Sequence, residues 1–196
     1  VEQGFKLSGV LSVNKYIKIP QFNCGLLSSF QFSNISDDSK FDLVAILSGP
    51  EPQRTIFEGM IIEQLEKIRC RSLVIRGKVS DPNEIPDRGI VQFKNYVTAE
   101  EIVQHLSTDT LVIARSGYST IMDLAQLGVR ALLVPTPGQT EQEYLASYFD
   151  DNKIFMMQTQ NNLDIQQAIE MKLGFSALKS ENNILLQQNL NRILLI

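Results

Sequence analysis

The chain has 196 residues, 43% of them hydrophobic and 20% charged, enough for one medium domain with its own core and too few for a second full domain. Its net charge of -4 at pH 7 argues against a nucleic-acid surface, which carries a basic stripe, and leaves room for a local anion site. No apolar run approaches the roughly 18 residues that cross a bilayer, and no charged-then-apolar leader opens the chain, so peripheral membrane contact is the most that is expected.

The first forty residues, starting at Val1, do not have the pattern of an independent domain's opening, and the stretch before Phe41 is the candidate linker. FDLVAILSG (41–49) then forms an apolar strand, followed by a helix over about 53–69 with Ile56, Met60, Ile61 and Leu65 on one side. SLVIRG (72–77) is the next strand, and after the polar loop SDPNEIPDRG comes a short one, IVQFKNYV. TAEEIVQHLS opens a helix at which Thr98 and Glu101 form a capping box. TLVIA (110–114) is a strand, STIMDLAQLG a helix ending at Gly128, and ALLVP (131–135) a strand. TEQEYLASYFDDN is a helix that Thr140 and Glu143 can cap, IFMMQ closes the strand set, and helices follow near 163–173 and 182–195.

Strands that are apolar throughout, without alternation, are buried on both faces. The expected fold is therefore a Rossmann-like three-layer α/β/α structure with a mainly parallel sheet. In such a sheet, ligands bind beyond the carboxyl ends of the strands, where loops enter helices. Three loops qualify: SGPEPQRT (48–55), ARSGYST (114–120) and PTPGQTEQE (135–143). Each is expected to aim backbone N–H groups and a positive dipole end at one crevice, for which an anion is the natural guest.

By residue type, the second loop admits two readings. Gly117 lets backbone approach a phosphate, Ser116, Ser119 and Thr120 can donate to its oxygens, and Arg115 can add charge. Equally, a hydroxyl can simply cap the helix and the glycine simply make the turn. Asp123 is similarly open: it stands three residues after Thr120, as in a capping box, and an acidic residue here can also accept from a ribose hydroxyl. In the third loop, Gln139, Glu141, Gln142 and Glu143 suit either a polyhydroxyl ligand or a solvated first turn, with Glu143 the better capping residue. His105 has polar neighbours and is expected at the surface without a catalytic role. Cys24 and Cys70 lack metal-ligand spacing and are expected to be reduced thiols in a cytoplasmic setting.

The run RSGYSTIMDLAQLGVRALLVPTPGQTEQEYLA resembles the signature of the C-terminal domain of glycosyltransferase family 28, the MurG-like group, with similarity from about Gly25 to Phe155. The resemblance implies one half of a GT-B fold. This half would bind a nucleotide diphosphate sugar, usually a UDP-sugar, while an N-terminal half holds the acceptor, in cis or as a partner chain. Residues 1–35, with KLSGVLS and YIKIPQFNCGLLSSF, would be the end of that half and the linker, and residues 36–196 the donor domain. Position by position, the resemblance makes Ser116, Gly117, Ser119 and Thr120 the diphosphate turn and Asp123 the ribose partner. Val97 would read uracil through its backbone, Gln142 would contact the donor sugar, and Gly49 and Arg54 lie in the first glycine loop. The chain departs from the family at Glu143, where a second glutamine is frequent, at Pro50, where a serine follows the glycine, and at Ser29, where the linker carries a phosphate-binding arginine.

The implied chemistry is inverting, metal-independent sugar transfer without a cofactor, in which preorganised donors stabilise the departing diphosphate. No catalytic base is expected here, since the resemblance puts it in the acceptor half, so the chain alone would bind nucleotide without turnover. Two alternatives are a UDP-sugar hydrolase or epimerase of related fold, and a non-catalytic nucleotide-binding subunit that needs a partner. Any membrane contact would run through the acceptor half.

Overall fold

The apolar runs become six parallel strands: β1 (Leu43–Ile46), β2 (Ser72–Ile75), β3 (Val91–Lys94), β4 (Leu111–Ala114), β5 (Arg130–Leu133) and β6 (Met156–Met157). This is a computed structural model, which describes residues 6–12, 16, 18–19, 25–30, 35, 40–79 and 81–178. The expected helix at 182–195, Cys24 and much of the expected linker lie outside those residues. The sheet order is β3-β2-β1-β4-β5-β6. The strands trim their apolar runs at one or both ends, and β5 starts one residue earlier than its run.

Among the described residues, four α-helices link strands, α1 (Gln53–Leu65), α2 (Ala99–Gln104), α3 (Tyr118–Leu127) and α4 (Thr140–Asp151), and α5 (Ile165–Met171) follows β6. The box expected at Thr98 and Glu101 is present at the start of α2, where Glu101 N–H donates to Thr98 Oγ1 (3.3 Å) and Thr98 N–H to Glu101 Oε2 (2.7 Å). Gly128 ends α3 in the left-handed region (φ 66°), which a glycine enters without the Cβ penalty. The last of these helices is shorter than the expected 163–173, because Leu163 and Asp164 stay extended and Lys172–Gly174 tighten into a 3-10 turn.

Two apolar cores cover the two faces of the sheet. Leu43, Ala45, Val74, Ile113 and Leu132 pack against Phe57, Ile61 and Leu65 of α1 and Ile165 and Ala168 of α5. Val44, Leu73, Val112, Ala114 and Leu133 face Ile121 and Leu124 of α3 and Leu145, Ala146 and Phe149 of α4. Successive residues of β1 thus serve opposite layers, and each fully buried Leu, Ile or Phe contributes about 1.5 to 3 kcal/mol.

Several described residues between 6 and 30 reach α3 and α4. Val10 N–H donates to Tyr144 Oη (2.9 Å), and Gly9 sits in the left-handed region (φ +52°), where a Cβ would run into that hydroxyl. Leu26 packs on Met122 and Ala125 of α3. Among the described residues, no helix is long and apolar enough to cross a membrane.

Candidate functional site

The strand order reverses direction between β1 and β4, which makes the gap beyond their carboxyl ends the binding crevice of an open parallel sheet. The loops 47–52 and 115–117 flank that gap, and the loop 134–139 after β5 lies next to them. Contacts tie all three together. A Cβ at Gly49 (φ +104°) would stand 3.9 Å from Thr136 Oγ1, Thr136 N–H donates to Gln142 Oε1 (2.9 Å), and Ser116 Oγ donates to the Gln142 carbonyl (2.8 Å). Gly49, Gly117 and Gln142 therefore belong to one convergent edge.

The three helix starts differ in how much they leave for a ligand. At α1, Glu51 supplies the anion: its Oε2 accepts from Thr55 N–H (3.1 Å) and its Oε1 from Arg54 Nε (2.6 Å), and these bonds hold its carboxyl below the usual carboxylate range. Arg54 is buried, not displayed. Its Nη1 donates to Glu58 (3.0 Å) and to the Arg76 carbonyl (3.2 Å), and Arg76 Nε meets the other oxygen of Glu58 at 2.5 Å. At α4, the cap is Gln139 and not Thr140, and Glu143 Oε1 accepts from Gly138 N–H (3.1 Å), so Glu143 reaches back beyond the expected box. Both side-chain ends of Gln142 are committed within the same loop, to Thr136 N–H and to Gln139.

At α3, no carboxylate or capping side chain among the described residues fills the helix start. The cap is Gly117 (φ -67°, ψ 146°), its first turn has no acidic residue, and among the described residues no side chain accepts from the first amides. Helix α3 begins at Tyr118, so Asp123 sits in the second turn and the capping reading of that residue fails. A Cβ at Gly117 would find only Thr120 Oγ1, at 3.8 Å, so neither backbone conformation nor packing demands glycine here. Ser119 is exposed and Thr120 half-buried, and among the described residues neither hydroxyl has a partner. Ser116 is fully buried, and its proton goes to the Gln142 carbonyl rather than outward.

Arg115 lies beneath this helix start, 2% exposed, with its guanidinium 4.0 Å from the centre of the Phe57 ring. Its Nη1 donates to the carbonyls of Val134 and Pro135 (both 3.1 Å), and its Nη2 to the Gln53 carbonyl (3.2 Å) and Gln160 Oε1 (2.6 Å). Every acceptor is neutral and Nε has no partner among the described residues, so burial pulls its pKa down to about 10. Arg115 thus bolts the three loops together and, among the described residues, has no carboxylate to offset its charge.

Val97 is buried in the turn after β3, where its side chain joins the core shared by α3 and α4. His105 is not a bare surface residue: its ring stands edge-on to Phe41 at 5.5 Å, and burial lowers its pKa. A hollow of about 370 Å³ opens beside the third loop, between Pro135, Pro137 and Glu143 on one side and Met157, Thr159 and Gln160 on the other. It is in the size range of small-molecule sites, and of the expected site residues it touches Glu143. Among the described residues, no group of His, Cys, Asp and Glu could hold a metal ion.

Sequence reasoning missed Gln53, Gln160, Glu58 and Arg76. The four-residue spacing of Arg54 and Glu58 on one helix was a usable signal. Nothing local marked Gln160, which reaches Arg115 across 45 positions, or Arg76, which comes to Glu58 of α1 from the end of β2.

The description of the glycosyltransferase family 28 C-terminal domain matches residues 61–189. The chain belongs to this family. Among its relatives are the UDP-N-acetylglucosamine--N-acetylmuramyl-(pentapeptide) pyrophosphoryl-undecaprenol N-acetylglucosamine transferases of Haemophilus influenzae (strain 86-028NP) and Rhodopseudomonas palustris (strain BisA53). The first is 27% identical over 112 residues, 55% of this chain and 32% of the relative. The second is 32% identical over 91 residues, 44% of this chain and 24% of the relative. The family 28 chain thus spans no more than about a third of the length of these curated relatives. The crystal structure of Acinetobacter baumannii MurG superposes with a TM-score of 0.55 at 14% identity, over 86% of this chain and 56% of that one. The fold is accordingly the Rossmann-like half of a GT-B glycosyltransferase, MurG-like in architecture.

Proposed function

We propose that this family 28 domain, residues 36–196, is the donor half of a glycosyltransferase, binding a nucleoside diphosphate sugar for hexosyl transfer to an acceptor held by an N-terminal half. The observation that carries the reading is the uncapped start of α3 at the strand-order switch, above the unpaired charge of Arg115. UDP is the first nucleotide to test, because the Haemophilus and Rhodopseudomonas relatives bear UDP-N-acetylglucosamine in their names.

In this reading, the diphosphate sits on the amides of Tyr118, Ser119 and Thr120, with the Ser119 and Thr120 hydroxyls as further donors and Gly117 leaving room for its approach. The ribose meets Asp123, the base meets the backbone at Val97, and the sugar points toward Gln142, Glu143 and the adjoining hollow. Arg54, Ser116 and the Gln142 side chain shape the loops and do not touch the ligand, since their polar atoms are already engaged. Negative charge grows on the diphosphate as the bond to the anomeric carbon breaks. Fixed amides and the Arg115 field oppose that charge without needing to reorganise, a metal or a cofactor. The base that takes the acceptor's proton belongs to the other half, which also carries any peripheral contact with the cytoplasmic membrane surface.

Melting curves with UDP, GDP, dTDP and ADP test this directly. The expected result is stabilisation by UDP above the other three, about 2.7 kcal/mol at a hundredfold excess over Kd. If none of the four raises the melting temperature, the donor-site reading is wrong.

A further inference from the structure

The carboxylate of Asp123 is held from outside its own helix. Its Oδ1 accepts from Ser28 Oγ (2.6 Å), Ser29 N–H (3.1 Å) and Ser29 Oγ (3.3 Å), and Ser28 Oγ accepts from Phe30 N–H (3.1 Å). Among the described residues, Oδ2 accepts nothing. The segment that delivers these donors is anchored: Leu26 is 4% exposed against Met122 and Ala125 of α3, and Phe30 packs on the core under α3 and α4. An exposed aspartate samples several rotamers, and a bond to a ligand must first select one of them. Three donors on a single oxygen, carried by a packed segment, make that selection before any ligand arrives.

We infer that Ser28 and Ser29 are positioning residues of the nucleotide site, which hold Oδ1 of Asp123 so that Oδ2 is presented to the ribose hydroxyls of a nucleoside diphosphate. This rests on the donor-site reading above. The linker side of the domain is then a wall of the site, and it contributes through Asp123 rather than by contact with phosphate. Asp123 has two oxygens with separate tasks, one structural and one for the ligand. A carboxylate can serve both at once, because each oxygen offers its own lone pairs.

The test is calorimetry of the 196-residue chain with UDP and with 2′,3′-dideoxy-UDP, which lacks both ribose hydroxyls, alongside melting curves. Four variants are compared with the unaltered chain: Ser28→Ala, Ser28→Thr, Asp123→Ala and the double Ser28→Ala/Asp123→Ala. The unaltered chain should prefer UDP by about tenfold or more, a preference that Asp123→Ala abolishes. Ser28→Ala should cut the preference by about threefold or more while leaving dideoxy-UDP affinity in place. Ser28→Thr, which restores the hydroxyl, should recover it, and Ser28→Ala should cost nothing further once Asp123 is gone. A preference unchanged by Ser28→Ala overturns the inference, leaving the bonds as a fastening of the segment. A rise in UDP affinity overturns it the other way, since the serines would then compete with the ribose. No UDP binding by the unaltered chain is a separate result, which removes the donor-site reading itself.

Discussion

The two sides of the sheet bury arginines at the same level and treat them oppositely. Beyond β1 and β2, Arg54 and Arg76 share the Glu58 carboxylate, Glu51 fills the start of α1, and the Thr98–Glu101 box fills the start of α2. Beyond β4, Arg115 has, among the described residues, four neutral acceptors and no carboxylate, and the start of α3 has no side-chain cap. A paired cation is electrostatically silent at a distance, whereas an unpaired one under an uncapped helix adds its field to the helix dipole. Both arrangements hold loops in place. The difference is that the first side pairs its charges and fills its helix starts, whereas the second, among the described residues, leaves a buried guanidinium and a helix start without a carboxylate.

The sharpest way to break this comparison is Glu58→Ala, which leaves two buried guanidinium groups facing each other. It should cost about 3 to 5 kcal/mol of stability by chemical denaturation, and UDP affinity of the folded fraction should not change. Arg115→Met removes the unpaired charge and strands several carbonyls, so a loss of about 1 to 3 kcal/mol is expected. Unlike the Glu58 variant, it should also weaken UDP binding, measured by calorimetry. If both variants affect affinity alike, the contrast between the two sides is not real.

Gly117→Ala sharpens the comparison at the helix start itself. Its Cβ meets only Thr120 Oγ1 at 3.8 Å and φ is ordinary, so stability should move by less than about 1 kcal/mol. UDP affinity should fall if a phosphate approaches that backbone. The smallest effect belongs to His105, whose pKa is lowered by burial against Phe41. A group depressed in the folded state binds protons more readily when unfolded. Its contribution is therefore complete above the ordinary value of 6.5 and is lost as pH falls below it. In His105→Gln, stability measured between pH 8 and pH 5 should decline slightly less than in the unaltered chain, with UDP affinity untouched.

Much of the fold was legible because its signals are local. Apolar runs such as LVAI and LVIA named the buried parallel strands, Gly128 named a helix end, and Thr98 with Glu101 named a helix start. The same locality placed the three loops at one edge. What could not be read was which helix start is already filled. Glu51 reaches Thr55 around an intervening proline, and Glu143 reaches back five positions to Gly138, outside the familiar box spacing. Residues that look displayed in a motif, such as Arg54 and Ser116, turned out to be spent on partners brought in by the fold. Ser28 and Asp123 are 95 positions apart, and no periodicity links residues across such a distance.

The central claim is that the start of α3 is the anion seat, and the backbone amides there report on it directly. In a titration of the isotope-labelled chain with UDP, followed by amide NMR, the largest shifts should fall at Tyr118, Ser119 and Thr120, while uridine without phosphate leaves those amides nearly unmoved. Largest shifts at Arg54 and Thr55 of α1, with those of α3 silent, would contradict it.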